Sequence, residues 1–315
     1  MTTLAVIVSV VCAGAVVTWV GARLIERAHP PRGRFVVVDG LRQHVLALGE
    51  ANAFPQAPPI VLLHGAGANL EDMHLALGDR LAARHRVILL DRPGLGWSKR
   101  QEHNCSPADQ ANIVRGVLDQ LGVRRAIFVG HSWGATLGLA FALDHPERMA
   151  GLVLIAAPTH PGLRYMAWLS AALATPVGWL FAHTLALPFG ALLLSPGVRT
   201  AFLPQSPPRH YVRRTAARLI LRPATLLANW ADVGCLEESL TQQAERYHTL
   251  TAPVAIISGG DDVIVRTEQH GAKLAQAVPG AKLIVLPGFG HMLHYGAAEQ
   301  IISAIEEMTS PSLVP

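Results

Sequence analysis

The stretch VGHSWGATLG, residues 129–138, decides the fold of this 315-residue chain. It continues an apolar run, Ala126–Val129, that is typical of a buried strand, and it leads into a helical pattern. Gly130 and Gly134 bracket Ser132. A nucleophile elbow requires this order of strand, G-x-S-x-G and helix, because the serine sits on a turn so tight that its neighbours must be small. The stretch predicts that Ser132 is raised above a sheet edge as a nucleophile; the alternative is a glycine-rich turn with an incidental serine.

Apolar runs alternate with helical patterns on both sides of this stretch. Fully apolar strands separated by helices indicate a parallel sheet covered by helices on both faces. The apolar runs are Ile60–Leu63, Val87–Leu90, Ala126–Val129, Leu152–Ile155, Val254–Ser258 and Leu283–Leu286, and the helical patterns are Met73–Arg84, Ala111–Leu121, Ala135–Asp144 and Glu268–Ala277. Near the N-terminus, Asp39-Gly40 predicts a hairpin turn. From about Pro158 to Tyr247 prolines interrupt helical patterns, which predicts a helical cap inserted into an α/β core.

Two segments offer hydrogen-bond donors for a developing oxyanion. The first is IVLLHGAGANLEDM, residues 60–73, in which the backbone N–H of Ala66 follows a strand; the alternative is a simple glycine-rich loop. The second donor is the N–H of Trp133, directly after the serine. The stretch DRPGLGWS, residues 91–98, follows another strand, and we interpret it as a structural loop without a catalytic role.

Two segments offer the partners that activate a serine. In VAIISGGDDVIV, residues 254–265, the spacing favours Asp262 over Asp261 as the carboxylate that orients a histidine, and the alternative is a pair of solvated turn aspartates. In LIVLPGFGHMLHY, residues 283–295, His291 is the candidate general base and His294 its competitor. Ser132, Asp262 and His291 each follow a strand, where open α/β sheets place their sites.

The chain resembles the α/β-hydrolase fold superfamily in its single-domain serine hydrolase form. The resemblance covers about residues 34–308 and rests on five ordered motifs: HGAG at 64–67, DRPGLGWS at 91–98, GHSWG at 130–134, GGDDVIV at 259–265 and GHMLHY at 290–295. It implies an eight-stranded, mostly parallel sheet, a cap after the sixth strand, no metal and no organic cofactor. Relatives that open epoxides or remove halides carry Asp at the elbow, so Ser132 argues against both activities.

The first 22 residues carry no charged side chain and are long enough, at about 1.5 Å per residue, to cross a bilayer. They lack the basic start and the cleavage region of a signal peptide, so we expect a retained, single-pass anchor. Arg23, Arg27, Arg32 and Arg34 follow, and the positive-inside tendency favours a cytoplasmic catalytic domain. Three cysteines far apart in sequence form no metal-ligand spacing or disulfide framework, and a net charge of +4 without long basic runs gives no indication of nucleic-acid binding.

The cap contains a 34-residue stretch, Tyr165–Val198, without Asp, Glu, Lys or Arg. It cannot cross the membrane once, because Ser132 precedes it and Asp262 and His291 follow it. We expect an apolar lid on the core, and contact with the bilayer surface is the open alternative. Beyond it, Arg214, Arg218 and Arg222 recur every four residues, which predicts one stripe of a helix, either solvated or set against anionic head groups.

These patterns predict an anchor at residues 1–22, an α/β core at 34–157 and 251–308, and a cap at 158–250. The expected function is hydrolysis of a carboxylic ester or related acyl bond in a hydrophobic small molecule, with membrane lipid as a partner through the N-terminal helix. Acyl transfer and cofactor-free haloperoxidase-like chemistry use the same three residues and stay open. A non-catalytic membrane-bound scaffold on the same fold is the alternative of another class.

Overall fold

A computed structural model of the chain describes residues 2–51, 57–162, 170–171 and 173–309. Parts of the Pro/Ala-rich segment Ala51–Pro59, which the sequence predicts to be a loop, and of the apolar cap stretch lie outside the described residues, as does Met1 of the expected anchor. The positions outside the description in these two segments are 52–56, 165–169 and 172.

An eight-stranded sheet forms the centre of the molecule, with the strand order β1-β2-β4-β3-β5-β6-β7-β8. The strands are β1 Arg34–Val38, β2 Leu41–Leu48, β3 Ile60–Leu63, β4 Val87–Leu90, β5 Ala126–His131, β6 Met149–Ile155, β7 Val254–Gly259 and β8 Lys282–Leu286. Strand β2 is antiparallel to β1 and to β4, and every other neighbouring pair is parallel. The mostly parallel eight-stranded sheet expected from the sequence is confirmed. Asp39 and Gly40 form the β1–β2 turn, both with positive φ, as the hairpin prediction requires.

Helices cover both faces of this sheet. The helices outside the cap are α1 Thr2–Ala28, α2 (Leu70–Met73, continued through the π turn His74–Gly78 to Asp79–Ala82), α3 Pro107–Gln120, α4 Trp133–Asp144, α10 Gly271–Ala277 and α11 Ala298–Thr309. Helices α3, α4 and α10 pack in one apolar cluster on one face, and α2 and α11 pack in a second cluster on the other. Strands β3, β4, β5 and β7 are buried throughout, which explains their continuous apolar sequence.

The helices begin where capping groups allow, and periodicity alone did not place these starts. Asn69 caps α2, since its side chain accepts a hydrogen bond from the backbone N–H of Glu71. Ser106 caps α3 in a reciprocal box with Asp109, so α3 begins at Pro107, ahead of the expected Ala111. Clear apolar spacing therefore predicts that a segment is a helix or a strand, but it predicts the first and last residues less well.

Between β6 and β7 the described chain is helical and lies over the carboxyl edge of the sheet. Its helices are α5 Pro176–Thr184, α6 Ala186–Phe202, α7 Tyr211–Arg214, α8 Pro223–Gly234 and α9 Leu236–Ala244, with a 3-10 turn at Ala217–Leu221. Helix α1 packs against α5, α6 and this 3-10 turn. It is long and apolar enough to span a membrane, and α5 and α6 form an apolar pair bent by 76°.

The expected arginine stripe does not exist as one helical face. Helix α7 ends at Arg214, and Ala216 has a φ of 50°, in the left-handed region, which breaks the helix before Arg218. Arg222 is buried and donates to Glu26 and to the carbonyl of Gly96. The spacing of four was therefore misleading, because it assumed one continuous helix through residues that the structure divides into two.

Candidate active site

Ser132 occupies a strained turn between β5 and α4. Its φ of 51° and ψ of −122° lie outside the regions that L-residues favour. A side chain on either flanking glycine would clash with the backbone: a Cβ on Gly130 would lie 2.4 Å from the carbonyl oxygen of Gly134, and one on Gly134 would lie 2.4 Å from that of Leu63. The two glycines are thus required for the turn, and the turn places Ser132 at the start of α4.

Ser132, His291 and Asp262 form a hydrogen-bonded chain. His291 Nδ1 lies 2.8 Å from Asp262 Oδ2, and His291 Nε2 lies 3.0 Å from Ser132 Oγ. A carboxylate only accepts, so Nδ1–H donates to it and Nε2 presents its lone pair to the serine hydroxyl. The structure thus brings together the three residues expected to act on a substrate, from three separate segments.

The two competitors have other surroundings. Asp261 is exposed, whereas Asp262 is buried and its Oδ1 also accepts hydrogen bonds from the N–H groups of Ile264 and Val265. These bonds hold the Asp262 carboxylate in one orientation. His294 is fully buried and contacts Asp72, away from the serine.

The segment that carries Ala66 passes directly beside the nucleophile. A Cβ on Gly65 would lie only 3.2 Å from Ser132 Cβ, so glycine allows this close approach. Within the described residues, the backbone N–H groups of Ala66 and Trp133 donate to no protein acceptor. Both are therefore available to a bound oxygen, as an oxyanion hole requires.

The DRPGLGWS loop does more than pack beside the site. Arg92 is fully buried, donates to Asp232 of α8 at 2.7 Å and to the carbonyl of His64, and lies 4.0 Å from the ring centroid of Trp133. Trp133 Nε1–H also donates to the carbonyl of Asp232. The Arg92–Asp232 pair thus ties the cap to both segments that supply the candidate oxyanion donors.

A buried polar network, which sequence reasoning missed, lies beside the triad. Asp72 Oδ1 accepts from the hydroxyls of Tyr211 and Tyr295, at 2.7 and 2.8 Å, and Asp72 Oδ2 lies 3.2 Å from His294 Nε2. His131 packs against His294 with ring centroids 4.1 Å apart. The network joins α2, the elbow, α7 and the loop after β8, so no single stretch of sequence could reveal it.

His131 connects this network to the triad. Its Nε2 lies 3.1 Å from the carbonyl oxygen of His291, which fixes Nε2 as the protonated nitrogen because a carbonyl only accepts. Burial, with the charges of His294 and His291, holds the pKa of His131 well below its usual value. Burial opposes ionisation of Asp72, but the hydrogen bond and charge of His294 outweigh it and lower the pKa of this carboxyl. The backbone of His291 is thus held by a neutral imidazole.

Among the described residues, Asp72, His131 and His294 form the group whose side chains could together ligate a metal ion. The ligand atoms of Asp72, His131 and His294 lie within 4.8 Å of one another. Asp72 Oδ1 already accepts from two phenols, and His131 donates to a carbonyl, so these atoms serve the hydrogen-bond network in this structure. The resemblance to the α/β-hydrolase superfamily implied no metal and no cofactor, and a Ser-His-Asp mechanism needs neither.

A cavity of about 410 Å³ lies between the site and the cap. Its core side includes Gly65, Ala66 and His131, and its cap side is formed by α6 and the segment after it. The cap side is predominantly apolar and includes Gly190, Leu193, Leu194, Gly197, Val198, Ala201, Tyr211, Thr215, Ala217, Ile220 and Leu221. An apolar group of a substrate could occupy this space while its carbonyl reaches Ala66.

Comparison with known proteins agrees with this geometry. A family model described as alpha/beta hydrolase fold matches residues 58–298. The chain belongs to the alpha/beta hydrolase fold family. A relative by sequence, the 2-hydroxymuconate semialdehyde hydrolase of Pseudomonas putida, is 28% identical over 293 residues, covering 88% of this chain and 94% of that protein.

Two solved structures of other proteins superpose along most of the chain. The enol-lactonase from Burkholderia xenovorans LB400 has a TM-score of 0.70 at 22% identity and covers 87% of this chain and 99% of its own. A membrane phospholipase A has a TM-score of 0.69 at 20% identity and covers 98% of this chain and 95% of its own. At these identities the likeness shows the fold alone, whereas the family and its hydrolase relatives support a hydrolase.

Proposed function

We propose that this alpha/beta hydrolase is a membrane-anchored serine hydrolase that cleaves a carboxylic ester or related acyl bond of a hydrophobic substrate. The observation that carries the proposal is the chain of hydrogen bonds from Ser132 through His291 to Asp262 on a strained elbow. Such an arrangement activates a hydroxyl for attack on a carbonyl carbon.

The reaction follows from the positions of these groups. Ser132 Oγ attacks the carbonyl carbon while His291 Nε2 takes its proton, and Asp262 stabilises the imidazolium that forms. The N–H groups of Ala66 and Trp133 hold the oxyanion. His291 then returns the proton to the leaving group, and water, activated by the same histidine, releases the acyl group from Ser132.

The anchor is proposed from α1. This helix exposes apolar side chains along most of its length, which water does not favour and a bilayer core does. Helix α1 continues to Ala28, beyond the uncharged segment, so Arg23 and Arg27 lie on its last turns. Following the positive-inside tendency, we place the catalytic domain on the cytoplasmic side.

Hydrolysis of p-nitrophenyl esters of increasing chain length by the full chain in detergent tests this proposal. We expect turnover to rise with acyl length because the cavity is apolar, and Ser132→Ala to lower kcat by about 10,000-fold or more. Equal turnover by wild type and Ser132→Ala would exclude Ser132 as the nucleophile. Ester products with added alcohols, formed in preference to free acid, would favour acyl transfer.

A further inference from the structure

The large apolar side chains that this chain exposes are concentrated on three helices. Apart from Val37, Leu203, Val263 and Val285, those in the described residues lie on α1 or within the α5–α6 pair. On the pair they are Val177, Trp179, Leu180, Phe181, Leu185, Phe189, Leu192 and Leu193. A contiguous apolar surface of this kind marks an interaction site with a partner or a membrane.

Helix α1 packs directly against this pair through small residues. Thr18 Oγ1–H donates to the carbonyl of Thr184 at 2.9 Å, and a Cβ on Gly14 would lie 3.1 Å from the same oxygen. A Cβ on Gly21 would lie 2.9 Å from a methyl group of Leu187. Small residues that allow helices to approach closely are typical of helix pairs inside bilayers.

These contacts fix the depth of the pair if α1 spans the membrane, so this inference rests on the anchor proposed above. Gly14 lies nine residues before Arg23, the first charged residue of the chain, and therefore about 13 Å along the helix axis from it. Half of a bilayer core is about 15 Å thick. Thr18, which donates to the same carbonyl, lies five residues or about 8 Å from Arg23. The corner between α5 and α6, at Thr184, would then lie between about 8 and 13 Å inside one leaflet.

Charged residues of the cap and of α1 contact each other nearer the core domain. Arg222 Nη1 donates to Glu26 Oε1 at 3.3 Å, near the C-terminal end of α1. The pKa of His29, which directly follows the helix, is lowered by burial and by the charge of Arg218. Apolar residues of the cap therefore face the apolar part of α1, and charged residues of the cap face its charged end.

The pair has the composition and the internal bonds of a segment that enters a bilayer and returns. Residues 170–198 contain no Asp, Glu, Lys or Arg. Polar side chains bond within the helices: His183 Nδ1–H donates to the carbonyl of Trp179 at 2.8 Å, and Thr184 Oγ1–H to that of Leu180 at 2.7 Å. Helix α6 has 17 residues, about 26 Å, and the 76° bend with α5 means that the two do not form one straight span. The chain before and after the pair belongs to the one core that contains Ser132 and His291, so a seated pair enters and leaves the bilayer on the same side.

Helix α6 contributes residues both to this surface and to the cavity beside the active site. Phe189 and Leu192, exposed by 53% and 74%, point away from the core. Gly190 and Leu194 line the cavity that also contains Ala66 and His131. Leu193, exposed by 65%, belongs to the outer apolar surface and also lines the cavity, so the two meet at this helix.

We propose that α5 and α6 are seated in the leaflet beside the second half of α1, and that the substrate is an acyl ester of a bilayer lipid, whose acyl chain enters the cavity past α6 directly from that leaflet. We assign the bilayer as the partner of this surface for two reasons. The surface is continuous with that of α1, and in both elements the apolar residues lie farther from the core domain than the charged residues.

The first test measures depth with the native chain reconstituted in vesicles of phosphatidylcholine and phosphatidylglycerol. Lipids brominated along the acyl chains quench tryptophan fluorescence on contact. The difference between wild type and Trp179→Phe isolates the signal of Trp179. We expect this difference to be quenched by acyl-chain bromine; no quenching of the Trp179 component would overturn the seating of α5.

The second test compares two substrates for each variant. Phe189→Asp and Leu192→Asp combined should lower hydrolysis of phospholipid in the vesicle by about tenfold or more, because a carboxylate in the apolar leaflet is costly. Hydrolysis of p-nitrophenyl acetate from water should stay within about twofold, since neither side chain lines the cavity. Val37→Asp, an equally exposed apolar residue on β1, is the matched control and should change neither rate.

The outcomes separate this inference from the proposed hydrolase activity. If neither substrate is hydrolysed by wild type, the hydrolase proposal fails, and the quenching result still decides the seating. If the double variant hydrolyses vesicle lipid at the wild-type rate while Ser132→Ala does not, entry from the leaflet is wrong. A surface that crosslinks to a second copy of the chain and is not quenched would show a dimer interface instead.

Discussion

Asp261 and Asp262 are neighbours in one turn, but they differ in burial and in hydrogen bonding. Asp262 is buried, and one of its carboxylate oxygens accepts hydrogen bonds from two backbone N–H groups while the other accepts from His291. Asp261 is exposed to solvent. The difference arises because the end of β7 at Gly259, where a Cβ would lie 2.4 Å from the carbonyl of Phe289, packs closely on the loop of His291 and so brings the Asp262 turn against it.

Asp262→Asn should therefore lower kcat by about 1,000- to 10,000-fold, because an amide does not fix His291 in the tautomer that accepts the serine proton. Asp261→Asn is the matched control and should stay within about twofold of wild type. Steady-state kinetics on a short p-nitrophenyl ester measure both. Equal losses in the two variants would contradict the assignment of Asp262.

His64 gives a pH dependence whose sign follows from its bonds. Its Nε2 accepts from the backbone N–H of Arg92 at 2.9 Å, so protonation of that nitrogen breaks a buried hydrogen bond. Burial, with the charge of Arg92, lowers the pKa of His64 from 6.5 to about 4. The unfolded chain binds this proton first as the pH falls below 6.5, so the folded state loses stability between pH 6.5 and 4.

At pH 5 the share of His64 in the free energy of unfolding should be about 2 kcal/mol lower than at pH 7.5. Urea unfolding of the full chain in mixed micelles at the two values measures the total change. In His64→Gln, whose amide oxygen can accept from Arg92, the change should shrink by that share. An unaltered pH dependence in the variant would show that His64 does not carry it.

At the scale of elements, short apolar strands and the motifs that follow them were readable because each is a local pattern. Ser132, Asp262 and His291 each follow a strand of a parallel sheet, and parallel strands end at one edge, so their proximity could be inferred without coordinates. The prediction of one arginine stripe was wrong because a spacing of four residues does not show whether the helix is continuous. The left-handed backbone of Ala216 breaks the helix between Arg214 and Arg218. The network around Asp72 depends on contacts between distant segments.

The link between the cap and the core depends on the buried pair Arg92–Asp232. Asp232→Asn should lower the free energy of unfolding by about 3 to 5 kcal/mol, because it leaves Arg92 charged in a buried site with its partner gone. Lys282→Ala, which removes the exposed ion pair with Glu307, is the control and should cost less than about 1 kcal/mol. Similar losses in the two variants, measured by urea unfolding, would show that Asp232 does not stabilise the cap.

At the scale of the whole molecule, an alpha/beta hydrolase core, an apolar cap and an apolar N-terminal helix lie against one another. The sequence predicted the core because its motifs are ordered along the chain. It left open whether the cap touches a bilayer, since composition cannot tell a lid that packs inward from one that faces lipid. Two contacts favour a cap that faces lipid, namely Thr18 with Thr184 and Glu26 with Arg222. They set the apolar part of the cap beside the apolar part of α1, and the charged part beside its charged end.

Labelling by a fluorophosphonate probe shows directly whether Ser132 is the nucleophile of a serine hydrolase. The full chain in detergent is compared with Ser132→Ala and with Ser98→Ala, a buried serine of the DRPGLGWS loop. We expect covalent labelling of wild type and Ser98→Ala, its loss in Ser132→Ala, and the mass of one phosphonyl group on the peptide that contains Ser132. A folded wild-type protein that is not labelled, or one labelled as strongly after Ser132→Ala, would show that Ser132 is not an activated nucleophile.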